Sequence, residues 1–381
     1  MTSISARSLL RERIAASIVL EDGSVFKGYS FGAPLPTEGE AVFSTSMVGY
    51  PEALTDPSYR GQILCLTYPL VGNYGVPGYE VRDEDLPIHF ESDRIQVRGL
   101  IVHEVCDKPS HYQSTRTLDK WLRDEGIPGI FGVDSRRLAR ALRERGVMLA
   151  SMKIGQAADG SIADRIADPN LTDLVQEVSI SKPLVHHPER KNRIALIDCG
   201  VKFSIIRNLI KRNVGVQRFP YDATPDAVLE DEPVGVVVSN GPGDPKKCAK
   251  TIQTIRQLME ADVPLLGICL GNQLIALAEG GDTYKMKYGH RSQNQPVLDL
   301  ATGRCYITTQ NHGYAVEKTS LENAGLEVWF VNANDRSIEG FKHPRKLCWG
   351  IQWHPEASPG PTDTEFIFDL FLKRALQNAE T

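Results

Sequence analysis

RIALIDCGVKFSIIRNLIKRNVGVQRFP, residues 193–220, is the stretch whose reading decides the fold. Ile194 to Ile197 is a short apolar run of the kind that forms a strand buried on both faces. Phe203, Ile206 and Ile210 then recur on one helical face, and Val214 to Phe219 reads as a second strand. The rhythm continues downstream with a strand at Val234 to Val238, a helix at Thr251 to Met259 and a strand at Val263 to Ile268. Strand and helix alternating at this length predict an α/β fold, a doubly wound and mostly parallel sheet with helices on both faces. Ligands of such sheets bind outside the carboxyl ends of the strands, which directs attention to the loops after Val238 and Ile268.

Upstream of this block the pattern breaks. Ile180 to Asn192 is polar, holds Pro183 and Pro188, and reads as a linker. His186 and His187 lie in it without a third nearby metal ligand, so a solvated linker is the better reading. With 381 residues the chain exceeds one typical core, and two domains are expected. We place an N-terminal extension at 1–15, a mixed α/β domain at 16–180, the linker at 181–192 and the doubly wound domain at 193–381. The first domain opens with a β-hairpin from Ser17 to Tyr29, turning at Asp22-Gly23. Gly39 to Val76 is rich in Gly, Pro, Thr and Tyr, and its periodicity decides little. Later a helix starts after Asp134, carries Leu138, Ala139 and Leu142, and closes at Gly146. At the far end Thr362 and Glu365 read as a capping box opening a helix through Leu376, with Phe366, Leu370 and Arg374 on one face.

Composition excludes several classes. The 43 basic and 48 acidic side chains give a net charge of -5, the wrong sign for a phosphate backbone, so nucleic acid is not an expected partner. No run of about 18 apolar residues is present to span a bilayer, and the first fourteen residues lack the apolar block of a secretory signal. Seven cysteines, odd in number and without a C-x-x-C pair, indicate neither a disulfide framework nor a zinc knuckle. A reducing, cytoplasmic setting is expected, organellar import being the lesser alternative. No metal site is expected.

The loop Asn240-Gly241-Pro242-Gly243-Asp244-Pro245 joins close backbone approach to stiffness, although any surface turn can be Gly- and Pro-rich. Gly267-Ile268-Cys269-Leu270-Gly271 has the spacing of a nucleophile elbow between strand and helix. The helix that follows, Leu270 to Ala278, aims free amides and its positive dipole end at the sulfur, which favours thiolate. On spacing alone, Cys269 reads equally well as a small buried hydrophobe. A base is offered by Trp353-His354-Pro355-Glu356: an extended run places positions i and i+2 on one side, so Glu356 can orient His354. Alone, that tripeptide is more often a surface turn. His312 lies in Gln310 to Tyr314, read as a polar turn after a strand at Cys305 to Thr309; His89, His103, His111, His290 and His343 are read as structural or exposed.

Taken together and in order, these segments resemble class I glutamine amidotransferases, whose triad is a Cys in a G-x-C-x-G elbow with a distant His-Pro-Glu. The match is closer still to the small, glutamine-hydrolysing chains of carbamoyl-phosphate synthases, from about Ala16 onward. It rests on Ser44 to Tyr50, Leu54 to Tyr59, Ser239 to Pro245, Gly267 to Gln273, Tyr284 to Pro296, Gln310 to Tyr314 and Gln352 to Pro361. The resemblance implies a sheet of the class I amidotransferase type, Cys269 as nucleophile, His354 as general acid and base, and Glu356 as its orienter. It implies an oxyanion held by the backbone amides of Leu270 and Gly243. Glutamine would be gripped by Ser58, Gly241, Gln273, Asn311, Gly313 and Tyr314, with Ser58 reaching in from the other domain. It also implies a large-chain partner that takes the ammonia and uses ATP, Mg²⁺ and bicarbonate, this chain holding no cofactor. The N-terminal domain would then be the docking surface and the start of an ammonia tunnel, serving arginine and pyrimidine synthesis. Asn272 departs from the histidine that many members carry before Gln273, which puts glutamine affinity or coupling in doubt. Two other readings are an amidotransferase subunit of a different synthetase, against which the N-terminal match argues, and a non-catalytic glutamine-binding regulatory subunit, against which the intact triad argues.

Overall fold

A computed structural model describes residues 14–82, 86–155 and 166–379; the expected N-terminal extension lies outside these through residue 13. The chain forms two compact units, each discontinuous in sequence. One comprises the residues up to Phe43 with Gln62–Pro77 and Arg98–Asp168; the other comprises Ser44–Gly61, Gly78–Val97 and everything from Pro169. Segments 44–61, 78–97 and 169–180, read from sequence as part of the first domain, are therefore compact with the second.

In the first unit, Ala15–Leu20 and Val25–Gly32 form the expected antiparallel hairpin. Its turn is set locally: Gly23 has φ 83°, and the Asp22 carboxylate accepts the Ser24 amide at 2.9 Å. Seven strands close into a barrel, in the order 15–20, 148–154, 37–44, 62–66, 99–101, 128–131 and 25–32. Closure removes the sheet edges that would otherwise template pairing with another chain. The helix Ser135–Arg145 begins where expected, with the Asp134 side chain accepting the Arg137 amide, and ends at Gly146. Its Leu138 and Leu142 join Ile18, Leu20, Ile63, Ile101 and Ile130 in one apolar cluster.

The second unit is built on a ten-stranded sheet. Its centre is parallel, running 215–220, 193–198, 235–238, 265–268 and 348–351. Alternation along each strand sends side chains to opposite faces. Ile194, Leu196, Val237, Leu266 and Ile268 pack with Ile205, Ile206 and Leu209 of one helix and Phe368 and Phe371 of another. Ala195, Ile197, Val236, Val238 and Leu265 pack on the other face with Ile255, Leu258, Leu274 and Ile275. Each such Val, Leu, Ile or Phe side chain, fully buried, contributes about 1.5–3 kcal/mol.

Antiparallel strands extend the sheet on both sides, and two sequence readings change as a result. The stretch read as linker contains an edge strand, Leu184–His186, paired antiparallel to Gly215–Pro220. Gln310 to Tyr314 is not a turn but the continuation of a twelve-residue strand, Cys305–Val316, paired with Thr283–Asp299. The C-terminal helix spans Phe366–Ala379 and buries Ile367, Phe368, Phe371, Leu372 and Ala375, a face rotated from the one read from sequence. Glu365 is not spent on a capping box; its carboxylate lies 3.3 Å from Lys211 Nζ and 3.6 Å from Arg212 Nη2.

Candidate active site

Four neighbouring parallel strands deliver the functional side chains at their carboxyl ends. Lys202 follows Arg193–Asp198, the Gly241–Gly243 loop follows Gly235–Val238, Cys269 follows Leu265–Ile268, and His354 follows Cys348–Ile351. The last two strands are hydrogen-bonded in register, Ile268 opposite Ile351, which is why residues 85 positions apart in sequence leave the sheet side by side.

Cys269 sits at the start of the helix Leu270–Ala278 with φ 54° and ψ -103°, left-handed backbone that a non-glycine residue adopts only where its surroundings impose it. Those surroundings are two hydrogen bonds, Cys269 N to Ile351 O at 2.8 Å and Gly271 N to Ser239 O at 3.0 Å. The flanking glycines are dictated by space. A Cβ on Gly271 would stand 2.1 Å from Val238 O, and one on Gly267 would stand 2.4 Å from Gly271 O. Gly271→Ala is accordingly expected to lower stability by about 2–3 kcal/mol, because backbone rather than a pliable side chain stands in the way; urea midpoints of the two proteins check it. Gly241 is held equally tightly, 2.0 Å from Cys199 O by the same construction, whereas Gly243 needs its freedom for φ 84°.

The thiol of Cys269 contacts Asn311 O at 3.8 Å and lies against the His354 imidazole. His354 Nδ1 is 2.6 Å from Glu356 Oε1, both side chains fully buried. Lys202 Nζ lies 3.0 Å from the same carboxylate oxygen and donates to Ala357 O at 2.7 Å. Burial pulls the imidazole toward neutrality, but the Glu356 charge together with the hydrogen bonds to Glu356 and Cys269 outweighs it and raises His354 to about 10. Burial likewise opposes the Glu356 charge, and Lys202 with His354 overcomes it, holding the carboxylate down at about 2. A buried cation–carboxylate–imidazole row of this kind fixes the ring orientation.

The other residues read from sequence converge on the same place. Gln273, one turn after Cys269, donates to Tyr314 O at 2.8 Å and to Gln352 Oε1 at 3.1 Å. Asn311 donates to Asp56 Oδ2 at 3.0 Å, and Asn240 donates to Ser58 Oγ at 3.0 Å. Ser58 thus meets the sheet from a segment of the same compact unit, not from the other one. Asn272 is fully buried and donates to Gln352 Oε1 at 3.0 Å. Leu270 opens its helix, so its amide has no intrahelical acceptor.

Sequence reading missed Lys202, and it gave Asp56 and Asn240 no role although both lie in segments that carry the resemblance. Lys202 carried one usable signal, a lysine at the carboxyl end of a buried strand, where solvent-exposed charge is not expected. His290 and His343, read as structural or exposed, both have partners: His343 Nε2 is 3.6 Å from Glu279. His290 Nε2 is 2.9 Å from Asp335 Oδ2, and its Nδ1 is 3.5 Å from Glu339 Oε1. The ligating atoms of His290, His312 and Glu339 all lie within 4.8 Å of one another. They are engaged by protein: Glu339 accepts from Gln310 and Asn332, and His312 Nδ1 is 2.8 Å from Tyr314 O.

Burial works against the His290 cation, yet Asp335 and Glu339 raise it to about 9. A folded-state value above that of the unfolded chain means stabilisation that is complete below about pH 6.5 and lost as the pH rises through 9. Removing the group with His290→Gln is expected to flatten the fall in stability between pH 7 and 10 by a few kcal/mol. Denaturant titrations of both proteins across that range test this.

Among the described residues, no helix is long and apolar enough to cross a membrane. The Glutamine amidotransferase class-I family matches residues 195–374, and the Carbamoyl-phosphate synthase small chain, CPSase domain, family matches residues 18–152. The carbamoyl phosphate synthase small chain of Methanopyrus kandleri is 48% identical over 94% of this chain and 98% of its own length. That of Pyrococcus furiosus is 46% identical over 93% and 96%, and the arginine-specific small chain of Neurospora crassa is 47% identical over 94% and 79%. Similarity of this depth, running through both units, establishes that the chain belongs to the carbamoyl phosphate synthase small chain family, with a class-I glutamine amidotransferase domain as its second half.

Proposed function

We propose that this chain hydrolyses L-glutamine and passes the ammonia to a large synthetase chain that makes carbamoyl phosphate. The observation that carries the reading is the row Cys269, His354 and Glu356, brought side by side at the ends of neighbouring strands, with the His354–Glu356 contact at 2.6 Å. In the proposed reaction Cys269 Sγ attacks the side-chain amide carbon. His354 gives a proton to the departing nitrogen, ammonia leaves, and a glutamyl thioester remains. Water, deprotonated by His354, then releases glutamate and restores the thiol. The amides of Leu270 and Gly243 hold the oxyanion, a contribution of roughly 10²–10³ in rate per donor in other enzymes. Ser58, Gly241, Gln273, Asn311, Gly313 and Tyr314 hold the amino-acid end of the substrate.

The large chain is the proposed site of ATP and Mg²⁺, and the barrel unit is the proposed docking surface. Ammonia protonates in water and ceases to be a nucleophile, which is the reason for delivery through protein. A cytoplasmic location and a role in arginine and pyrimidine synthesis accompany this reading.

Treating the full chain with an electrophilic glutamine analogue tests it. Mass spectrometry of the peptides is expected to find Cys269 labelled selectively among the seven thiols, and excess glutamine to protect it. Labelling that ignores glutamine, or that falls on other cysteines both with and without the large chain, overturns the reading.

A further inference from the structure

Behind the candidate triad lies a second buried carboxylate, Glu91, 263 positions before His354 in the chain and completely shielded from solvent. It is saturated on both oxygens. Oε1 accepts from Arg207 Nη2 at 2.6 Å and from Ser358 Oγ at 2.6 Å. Oε2 accepts from the Ser204 amide at 3.0 Å and from the Ser204 hydroxyl. Its backbone is pinned too, the amide to Thr55 Oγ1 at 2.9 Å and the carbonyl by Phe203 N at 2.9 Å. Nothing in the proposed reaction uses this group, and because a buried carboxylate is tolerated only when paired and hydrogen-bonded, its partners show what it holds.

What it holds is the segment just after Glu356. Ala357 and Ser358 both have left-handed backbone, φ 55° and 47°, an arrangement that non-glycine residues keep only when the surroundings enforce it. Ala357 presents its carbonyl to Lys202 Nζ, and Lys202 in turn bears on Glu356. Ser358 is the residue that Glu91 grips. A continuous chain of short contacts therefore runs Arg207, Glu91, Ser358, the Ala357 carbonyl, Lys202, Glu356 and His354.

We propose that Glu91 is a positioning residue for the glutaminase reaction: through Ser358 it locks the Ala357–Ser358 turn so that the Ala357 carbonyl keeps the Lys202 ammonium against Glu356. This deepens the function proposed above and rests on it. It assigns to residue 91, outside every motif of the site, a role in the orientation of His354 and none in contact with substrate.

The test is steady-state glutamine hydrolysis by the full chain across pH 6–10, for wild type, Glu91→Gln, Ser358→Ala and the double variant, with thermal midpoints in parallel. Glu91→Gln removes the carboxylate charge and, whichever way the amide lies, sets an N–H against donors of Ser204 or of Arg207, so the grip on Ser358 is weakened; Ser358→Ala cuts that bond while leaving the Arg207–Glu91 pair intact. Each single variant is expected to lower kcat about ten-fold or more with KM within about three-fold, since small misplacements of a reacting group have effects of that size. The double variant should be no worse than the worse single one. The alkaline limb should move to higher pH, because a loosened Lys202 no longer opposes the imidazolium. Ser358→Ala with kcat within two-fold of wild type and an unmoved limb overturns the proposal, as does a loss that follows the thermal midpoint alone. If Glu91→Gln does not fold, Ser358→Ala decides by itself. Wild type that neither hydrolyses glutamine nor takes up the analogue refutes the glutaminase reading, and this assignment with it.

Discussion

Cys269→Ser is expected to abolish glutamine hydrolysis, with a loss of at least about 10⁴-fold in kcat, while leaving the fold intact. The size follows from chemistry. A serine hydroxyl placed at the same φ 54° elbow meets the same His354, but it has to be deprotonated during attack. The fold should survive because a hydroxyl is no larger than the thiol and can keep its polar contacts, the 3.8 Å approach to Asn311 O and the contact with His354. Substrate binding should survive as well, because Gln273, Asn311 and Tyr314 are untouched. Glutamine ought therefore to bind Cys269→Ser with an affinity near the wild-type KM, and synthesis by the assembled enzyme ought to persist with added ammonium while glutamine no longer supports it. Isothermal titration with glutamine and a coupled assay with the two nitrogen donors give both readings. A serine variant that kept even one per cent of the hydrolysis would move the nucleophile elsewhere.

How much of this was legible in the sequence depends on the range of the interaction concerned. Ile194–Ile197, Val234–Val238 and Val263–Ile268 were readable as strands because a strand buried on both faces is a bare apolar run, and the helices between them each keep one apolar face. The elbow was readable because its constraint is local: two glycines where Val238 O and Gly271 O leave no room for a Cβ. The barrel was not, since its short strands find most of their partners only across long separations, as when Ala16 pairs with Ile154. Gln310 to Tyr314 looked like a turn for a similar reason. Polar residues in a row suggest solvent, and only the buried partners Glu339, Asp56 and Gln273 explain why a polar strand can lie inside the unit. Buried ions were the least visible. Glu91, Lys202, Arg207 and Glu356 are spread over 266 positions, and no pairwise spacing in the sequence announces that they form one network.

That network yields the second large effect. Lys202→Met is expected to destabilise the second unit by about 3–5 kcal/mol and to cripple hydrolysis. The Lys202 side chain is 2% exposed, and Glu356, with no exposed side chain at all, lies 3.0 Å from its ammonium. Removing one member of a buried pair leaves the other charged and unsolvated, which costs more than the pair itself was worth. Here the stranded group has a second cation to turn to, since His354 lies 2.6 Å away on the same oxygen. The imidazolium would then be held more firmly, because Lys202 is a charge that opposes it. His354 in the variant should give up its proton at higher pH than in wild type, so the alkaline limb of what hydrolysis remains should lie at higher pH. The double variant Lys202→Met, Glu356→Gln separates the two effects. Two neutral side chains of similar size leave no bare charge, so most of the lost stability should return, while activity should not, because the imidazole has lost its orienting carboxylate. Urea midpoints that recover in the double variant together with kcat would mean that the row serves folding alone. Recovery of stability without kcat is the expected result, and it would identify the buried lysine as the counter-ion that lets a carboxylate remain charged inside the protein and face the histidine.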